Sequence, residues 1–247
     1  MHDFPLSRLE LSDAKVVVVI PTLNEEQSIA SVVRELPKSI VSRIIVSDGG
    51  SGDETVARAR SAGAEVVAAG HGYGQACLRA AELAQDADIL VFIDGDGADD
   101  PRVLPELVDP IKSGEYEFVI GSRVRGVREP GSMAWHQIIA GLAVGWLTHL
   151  FYGVRYTEMC AYRAIRRDRL LTLGMRELTY GWNLEMQMRA AHAGLRILEV
   201  PVPYRRRTGG TSKVSGSLHG SFRAGLHIAA AFARIASAPA RSRAAGS

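Results

Sequence analysis

Residues 16–25 read Val-Val-Val-Val-Ile-Pro-Thr-Leu-Asn-Glu, in which Pro21 ends a run of β-branched residues. β-Branched side chains favour extended backbone, and a run without polar interruption is typical of a strand buried on both faces of a parallel sheet. Apolar residues at helical spacing follow in residues 24–36. We therefore predict a buried strand, a turn at its carboxyl end and a helix that returns across the sheet.

This strand–helix unit recurs at short spacing along the chain. Strands are predicted at 43–47, 65–68, 89–93 and 117–120, and helices at 53–62, 75–84 and 103–112. The alternation predicts an α/β fold with a mostly parallel, doubly wound, Rossmann-like sheet flanked by helices, in which ligands bind beyond the carboxyl ends of the strands. From residue 126 onward helical patterns prevail, at 133–151, 168–173, 182–194 and 218–237, with one strand at 196–200.

The predicted domain organisation follows from this change of pattern. We expect an N-terminal extension (1–14), one domain (15–215, with halves 15–125 and 126–215), and a C-terminal helix with a frayed tail (216–247). Residues 200–247 carry eight Lys and Arg and no Asp or Glu, although the whole chain has a net charge of only +2. A basic tail on an acidic body indicates an anionic partner.

Composition excludes several classes of protein. The 247 residues are 47% hydrophobic and 23% charged, which excludes a disordered or fibrous chain. Two cysteines far apart in the sequence favour a reducing compartment. Residues 1–15 lack the apolar core of a secretory signal, and no apolar segment reaches the roughly 20 residues of a membrane span. We expect a cytoplasmic protein, and any contact with the cytoplasmic membrane face would be peripheral, through residues 133–151, the basic tail or a partner.

Polar clusters stand at the predicted strand ends, in residues 21–25 and 48–51 among others. The first turn has no G-x-G-x-x-G and therefore disfavours NAD or FAD binding. Glu25 and Asp48 instead place carboxylates where a nucleotide base or ribose can donate hydrogen bonds. The alternative is structural: Asn24 and Asp48 would cap helices.

Asp94-Gly95-Asp96 stands at the end of the fourth predicted strand. Two carboxylates one residue apart can reach the same divalent cation, and Mg²⁺ and Mn²⁺ take such oxygen ligands while leaving positions for phosphate oxygens. A solvated acidic turn is the alternative.

Residues 205–213 join arginines, hydroxyls and glycines in a segment that suits phosphate binding. A solvated loop is the alternative, and a nucleic-acid surface is disfavoured because Tyr204 alone adds an aromatic residue to the cations. Glu185, on an otherwise apolar helix face, either meets an acceptor pocket or pairs with Arg189 four residues later.

Together these stretches resemble the inverting, metal-dependent glycosyltransferases of family 2, and within that family the polyprenyl-phosphate hexosyltransferases of the dolichol-phosphate mannose synthase type. The resemblance covers roughly residues 15–215. Residues 17–25 are similar to the family's opening strand and P-x-x-N-E turn, 48–55 to D-D-G-S-x-D-x-T, and 94–96 to the D-x-D metal motif. Residues 121–123, 199–204 and 207–213 are similar to G-S-R, E-V-P-x-x-F and R-x-x-G-x-S-K.

The resemblance implies a GT-A fold, a Mg²⁺ or Mn²⁺ cofactor on Asp94 and Asp96, and a nucleotide-diphosphate hexose donor. The predicted donor-binding residues are Pro21, Thr22, Asn24, Glu25, Asp48, Gly49, Gly74, Asp94, Gly95, Asp96 and Arg123. The predicted acceptor or phosphate contacts are Glu185, Arg207, Ser212 and Lys213, and the predicted catalytic residues are Asp96, Glu158 and Arg207.

The sequence departs from the family pattern at three points. Gly49 replaces the second Asp of D-D-G-S, and Ala98 stands where a polar residue often follows the metal motif. In the stretch similar to D-x-x-S-G-F-R, which is residues 157–163 here, the acidic residue is displaced by one position to Glu158.

We therefore expect an enzyme that transfers a hexose with inversion from a UDP- or GDP-linked donor to a polyprenyl-phosphate acceptor. Two alternatives stay open. The same fold could serve a soluble or cell-envelope hydroxyl acceptor, for which Glu158 would be the general base, or the protein could be a non-catalytic nucleotide-sugar-binding module. No nucleic-acid partner is expected.

Overall fold

The computed structural model describes residue 11 and residues 13–208. A seven-stranded sheet lies at its centre, in the strand order β3-β2-β1-β4-β6-β5-β7. The strands are β1 Val16–Thr22, β2 Val41–Asp48, β3 Glu65–Ala68, β4 Ile89–Phe92, β5 Phe118–Ser122, β6 Arg163–Arg166 and β7 Ile197–Pro201. The helices are α1 Ile29–Glu35, α2 Thr55–Ser61, α3 Tyr73–Leu83, α4 Leu104–Lys112, α5 Trp135–Tyr152, α6 Arg167–Leu173 and α7 Trp182–His192.

The central strands are as apolar and as buried as the sequence predicts. Every residue of β1 and of β4 is buried. β1 pairs in parallel with both β2 and β4, so it lies in the interior of the sheet. The predicted mostly parallel sheet flanked by helices is confirmed.

The strand order places a switch point between β1 and β4. From β1 the chain builds outward through β2 and β3, and then returns to place β4 on the other side of β1. Ligands of open α/β sheets bind where the order reverses, beyond the carboxyl ends of the strands. Thr22 ends β1 on one side of this point, and Asp94 follows β4 on the other.

One strand, β6, is not predicted by the sequence pattern, and it runs antiparallel to both β4 and β5. Arginines at both ends make this short segment look exposed, yet Arg163 is completely buried. Its guanidinium donates hydrogen bonds to the main-chain carbonyls of Asn183, at 3.0 Å, and Cys160. Because β6 is reversed, residues 157–162 arrive at the same edge as the carboxyl ends of β4 and β5.

Other differences from the predicted elements concern boundaries. The helix predicted from residue 24 begins at Ile29, and the one predicted at 133–151 spans Trp135–Tyr152. Within the described part of the chain, no helix combines the length and the hydropathy that a membrane span requires. The predicted helix at 218–237 lies outside the described residues.

Candidate active site

The turns that follow β1 and β2 are joined by their own side chains. Asp48 Oδ2 accepts hydrogen bonds from the amides of Gly50 (3.0 Å) and Ser51 (2.9 Å). Asn24 Oδ1 accepts a hydrogen bond from the amide of Gly52 at 2.9 Å. Neither side chain caps a helix, in contrast to the structural alternative. They instead tie residues 21–26 and 48–55 into one structure, which we call the polar rim.

The polar rim brings together the other residues predicted to bind the donor at these strand ends. Pro21 and Thr22 are buried at the end of β1. The amide of Gly49 donates to the Thr22 carbonyl at 2.8 Å, and a Cβ on Gly49 would lie 3.3 Å from that oxygen. The amide of Glu25 donates to Thr55 Oγ1 at 2.8 Å. Glycine at position 49, where the family motif has Asp, thus avoids a tight contact with the end of β1.

Asp94 and Asp96 form an acid pair beside the polar rim. Gly95 packs so closely on β1 that a Cβ there would lie 2.8 Å from Thr22 Cγ2. Burial, and next the charge of Asp96, raise the pKa of Asp94 to about 6. A dication would stabilise the ionised form of Asp94 beside the second carboxylate.

This acid pair fits Mg²⁺ or Mn²⁺ as part of a larger ligand set. Within residues 11 and 13–208, no three His, Cys, Asp or Glu side chains are grouped to hold a metal ion. Asp99, next to Ala98, is buried, and its Oδ1 has no hydrogen-bond partner in the described structure. Mg²⁺ is commonly held by one or two carboxylates together with substrate phosphates and water, so two carboxylates suffice.

The basic segment after β7 reaches the acid pair. Arg207 Nε lies 3.0 Å from Asp96 Oδ2, and the amide of Thr208 donates to the Asp96 carbonyl at 3.3 Å. Although burial alone would lower it, the charge of Asp96 contributes to raising the pKa of Arg207. Ser212 and Lys213, the other predicted phosphate contacts of this segment, lie outside the described residues.

Arg123 follows β5 and is held by Glu158 from the segment before β6. Glu158 Oε2 accepts from Arg123 Nε at 2.7 Å and from Nη2. Glu158 Oε1 accepts from the amides of Arg123 and Val124, the latter at 3.1 Å. The guanidinium carbon lies 4.7 Å from the centre of the Tyr204 ring. Both oxygens of Glu158 are thus engaged in positioning Arg123, and its predicted catalytic role stays a prediction.

Glu185 forms one of the two contacts that the sequence allowed. Its Oε1 lies 2.8 Å from Arg189 Nε, four residues later. Its Oε2 accepts from the amides of Arg176 and Glu177. The alternative contact with an acceptor stays a prediction, as does the donor role of Gly74, which packs against the main chain of Glu177.

Sequence reasoning missed two residues of this region. Tyr73 donates a hydrogen bond to Asp94 Oδ1 at 3.0 Å. Its position among the glycines of residues 70–74, at the start of the helix that follows β3, is a signal that could have identified it. Arg163 gave no such signal, because its burial depends on the unpredicted strand β6.

Acids and arginines gathered at the switch point of an open, mostly parallel sheet define the class of the protein. This is an open α/β protein with charged side chains gathered where such folds bind their ligands. The comparison with known sequences is more specific. The chain belongs to glycosyl transferase family 2, which it matches over residues 17–176.

Relatives and solved structures agree with this assignment. An uncharacterised glycosyltransferase of Mycobacterium tuberculosis is 38% identical over 209 residues, which is 83% of this chain and 92% of that protein. The undecaprenyl-phosphate mannosyltransferase of Micrococcus luteus is 31% identical over 224 residues, or 83% and 90% of the two chains. Glucosyl-3-phosphoglycerate synthase of M. tuberculosis, crystallised with Mn²⁺ and UDP-glucose, superposes with a TM-score of 0.71 at 25% identity, covering 96% and 86%. The predicted GT-A-like fold is confirmed.

Replacing Glu158 by Gln tests the buried ion pair. We expect the free energy of unfolding to fall by about 3 kcal/mol, because Arg123 keeps a buried charge without its counterion. Urea denaturation followed by circular dichroism measures the loss. Glu82→Gln is the matched control, since the Glu82–Arg79 pair is exposed and 3.8 Å long, and we expect a change below about 0.5 kcal/mol. Equal stability of the two variants would contradict a structural role for the Glu158–Arg123 pair.

Proposed function

We propose that the protein is an inverting, metal-dependent hexosyltransferase that uses a nucleotide-diphosphate sugar as donor and a polyprenyl phosphate as acceptor. One observation carries the proposal: the acid pair faces two arginines at the switch point of the sheet. Arg207 and Arg123 both lie near enough to counteract the rise in the pKa of Asp94. Such a site offers carboxylates for a cation and cations for phosphates.

The donor is assigned to the polar rim and the acid pair. The side chain of Glu25 and the loop held by Asp48 would receive the nucleoside. A Mg²⁺ or Mn²⁺ ion on Asp94 and Asp96 would supply positive charge to the leaving diphosphate. The M. tuberculosis synthase crystallised with Mn²⁺ and UDP-glucose supports a donor of this class. A guanosine-linked donor remains the alternative.

The class of acceptor is inferred from the hydrogen bonds that Glu158 makes. A neutral hydroxyl acceptor needs a general base, whereas a phosphate monoester is already an anion near neutral pH and needs positioning. Glu158 uses both oxygens to hold Arg123, which favours the second chemistry. Arg123 and Arg207 would then orient the acceptor phosphate for attack on the anomeric carbon. The 31% identical undecaprenyl-phosphate mannosyltransferase supports a lipid acceptor.

Asp96→Ala tests the metal-dependent reaction. We expect transfer to undecaprenyl phosphate to fall by at least about 10³-fold, because charge on the leaving diphosphate loses its stabilisation. Release of UDP or GDP from a panel of nucleotide sugars with Mn²⁺ measures the rate. Asp86→Ala is the control, since Asp86 is exposed and pairs with Arg43 on the surface. Transfer by the Asp96→Ala variant in the presence of EDTA would refute metal dependence.

Arg207→Ala tests the acceptor side of the site. We expect the KM for undecaprenyl phosphate to rise about 10-fold or more, while the KM for the donor changes by less than about 3-fold. Arg206→Ala is the neighbouring control, because Arg206 Nε donates to the Pro130 carbonyl at 2.7 Å instead of contacting the acid pair. Equal increases in the two KM values would contradict an acceptor role. If transfer to 3-phosphoglycerate or to a free sugar hydroxyl were faster than transfer to undecaprenyl phosphate, the acceptor would be a soluble molecule and not a lipid.

Peripheral membrane contact is proposed for one face of α5. Five exposed apolar residues recur there every three or four positions: Trp135, Ile139, Leu142, Trp146 and Leu150. On another face of the helix, Gly145 lies against the main chain of Tyr156, so the helix is anchored to the domain. A helix with an apolar face and interfacial tryptophans can lie in the plane of a membrane surface.

Trp146→Gln tests this contact. We expect the fraction bound to vesicles of phosphatidylglycerol and undecaprenyl phosphate to fall severalfold in co-sedimentation, because burial of a large apolar side chain contributes about 1.5–3 kcal/mol. Leu171→Gln is the control, since Leu171 is also exposed but lies on α6. An equal effect of the two substitutions would contradict docking through α5.

A further inference from the structure

Tyr73 contacts the acid pair but belongs to none of the sequence motifs. It is the first residue of α3, and its hydroxyl donates to Asp94 Oδ1 at 3.0 Å. In this contact the phenolic O–H is the donor and the carboxylate oxygen is the acceptor.

The start of α3 is fixed by a loop from the other half of the domain. The helix has no side-chain cap. Instead the amide of Gln75 donates to the Leu178 carbonyl at 2.8 Å, and the amide of Gly74 to the Thr179 carbonyl at 3.2 Å. These contacts satisfy amides that a helix start leaves without partners. A Cβ on Gly74 would lie 2.8 Å from the Leu178 carbonyl carbon, so glycine permits the close approach.

This loop (residues 174–181) is held in turn by Glu185. The buried carboxylate accepts from the amide of Arg176 at 2.9 Å and from that of Glu177 at 2.7 Å. Arg189 neutralises its other oxygen at 2.8 Å. A continuous series of contacts thus runs from Glu185 through the 174–181 loop and Tyr73 to Asp94.

We infer that Tyr73 is a positioning residue that fixes the orientation of the Asp94 carboxylate for the divalent cation, and that Glu185 supports it through the 174–181 loop. The inference rests on the proposed function, which gives Asp94 its cation. A donor that holds one oxygen of a ligating carboxylate sets the direction of the other, and loss of such a donor typically lowers metal affinity by about 10- to 100-fold.

Tyr73→Phe tests the inference because it removes the hydroxyl and keeps the ring. The probe is Mn²⁺, titrated by calorimetry into the full chain saturated with whichever of UDP or GDP raises its Tm. We expect the Kd for Mn²⁺ to rise at least about 10-fold while the Tm of the nucleotide-free variant stays within about 2 °C of wild type. Tyr180→Phe is the matched control, since Tyr180 lies on the same loop and is 62% exposed. A wild-type Kd in the Tyr73→Phe variant would overturn the inference.

Glu185→Gln tests the support from the loop. We expect a weaker affinity for Mn²⁺ in this variant, and no further loss when it is combined with Tyr73→Phe, because both changes act through one contact. Additive losses would overturn the role of Glu185. Failure of the wild-type protein to take up Mn²⁺ with either nucleotide would refute the proposed function itself. Normal uptake by both wild type and Tyr73→Phe would refute the positioning role alone.

Discussion

Electrostatic repulsion between Asp94 and Asp96 is the constraint around which the site is built. Gly95 packs against β1, so the turn that carries both acids is held in place by the sheet. Burial and mutual repulsion raise the pKa of Asp94 to about 6. Two such charges at a buried strand end require compensation. The described structure supplies it with the guanidinium of Arg207 and the hydroxyl of Tyr73.

The side chains that compensate the charges of the acid pair come from segments that are far apart in the sequence. Tyr73 precedes the acid pair by about twenty residues, and Arg207 follows it by more than a hundred. They meet because every segment ends at the same edge of one sheet. The reversal of β6 extends this principle: it brings Glu158 to the carboxyl end of β5, where Glu158 holds Arg123. With β6 parallel, the segment that precedes it would arrive at the opposite edge.

The parts of the structure that could be predicted are those that local pattern determines. The β-branched run of β1 and the polar clusters after β1, β2 and β4 are visible in the sequence, and the topology rule places them together. β6 could not be predicted in this way, because Arg163 is buried through carbonyl contacts that exist only in the folded chain. The partners of Glu158 and the contact of Tyr73 with Asp94 depend on the same tertiary arrangement. For Glu185, the i,i+4 spacing on a helix predicts the ion pair with Arg189. Its hydrogen bonds with amides of the 174–181 loop could not be predicted, because they depend on how the loop folds.

The contacts already made by Glu158 and Glu185 limit the ways in which an acceptor can be activated at this site. Glu158 and Glu185 were the carboxylates that the sequence offered on the acceptor side, and in the structure each binds an arginine and two backbone amides. A general base must have an oxygen free to take a proton, whereas an anionic nucleophile needs a fixed cation. Arg123, held by Glu158 and stacked on Tyr204, is such a cation. The geometry therefore favours a phosphate as the attacking group. Under the proposed function, a lipid phosphate and a soluble phosphate would present the same head to these arginines, and the apolar face of α5 would discriminate between them.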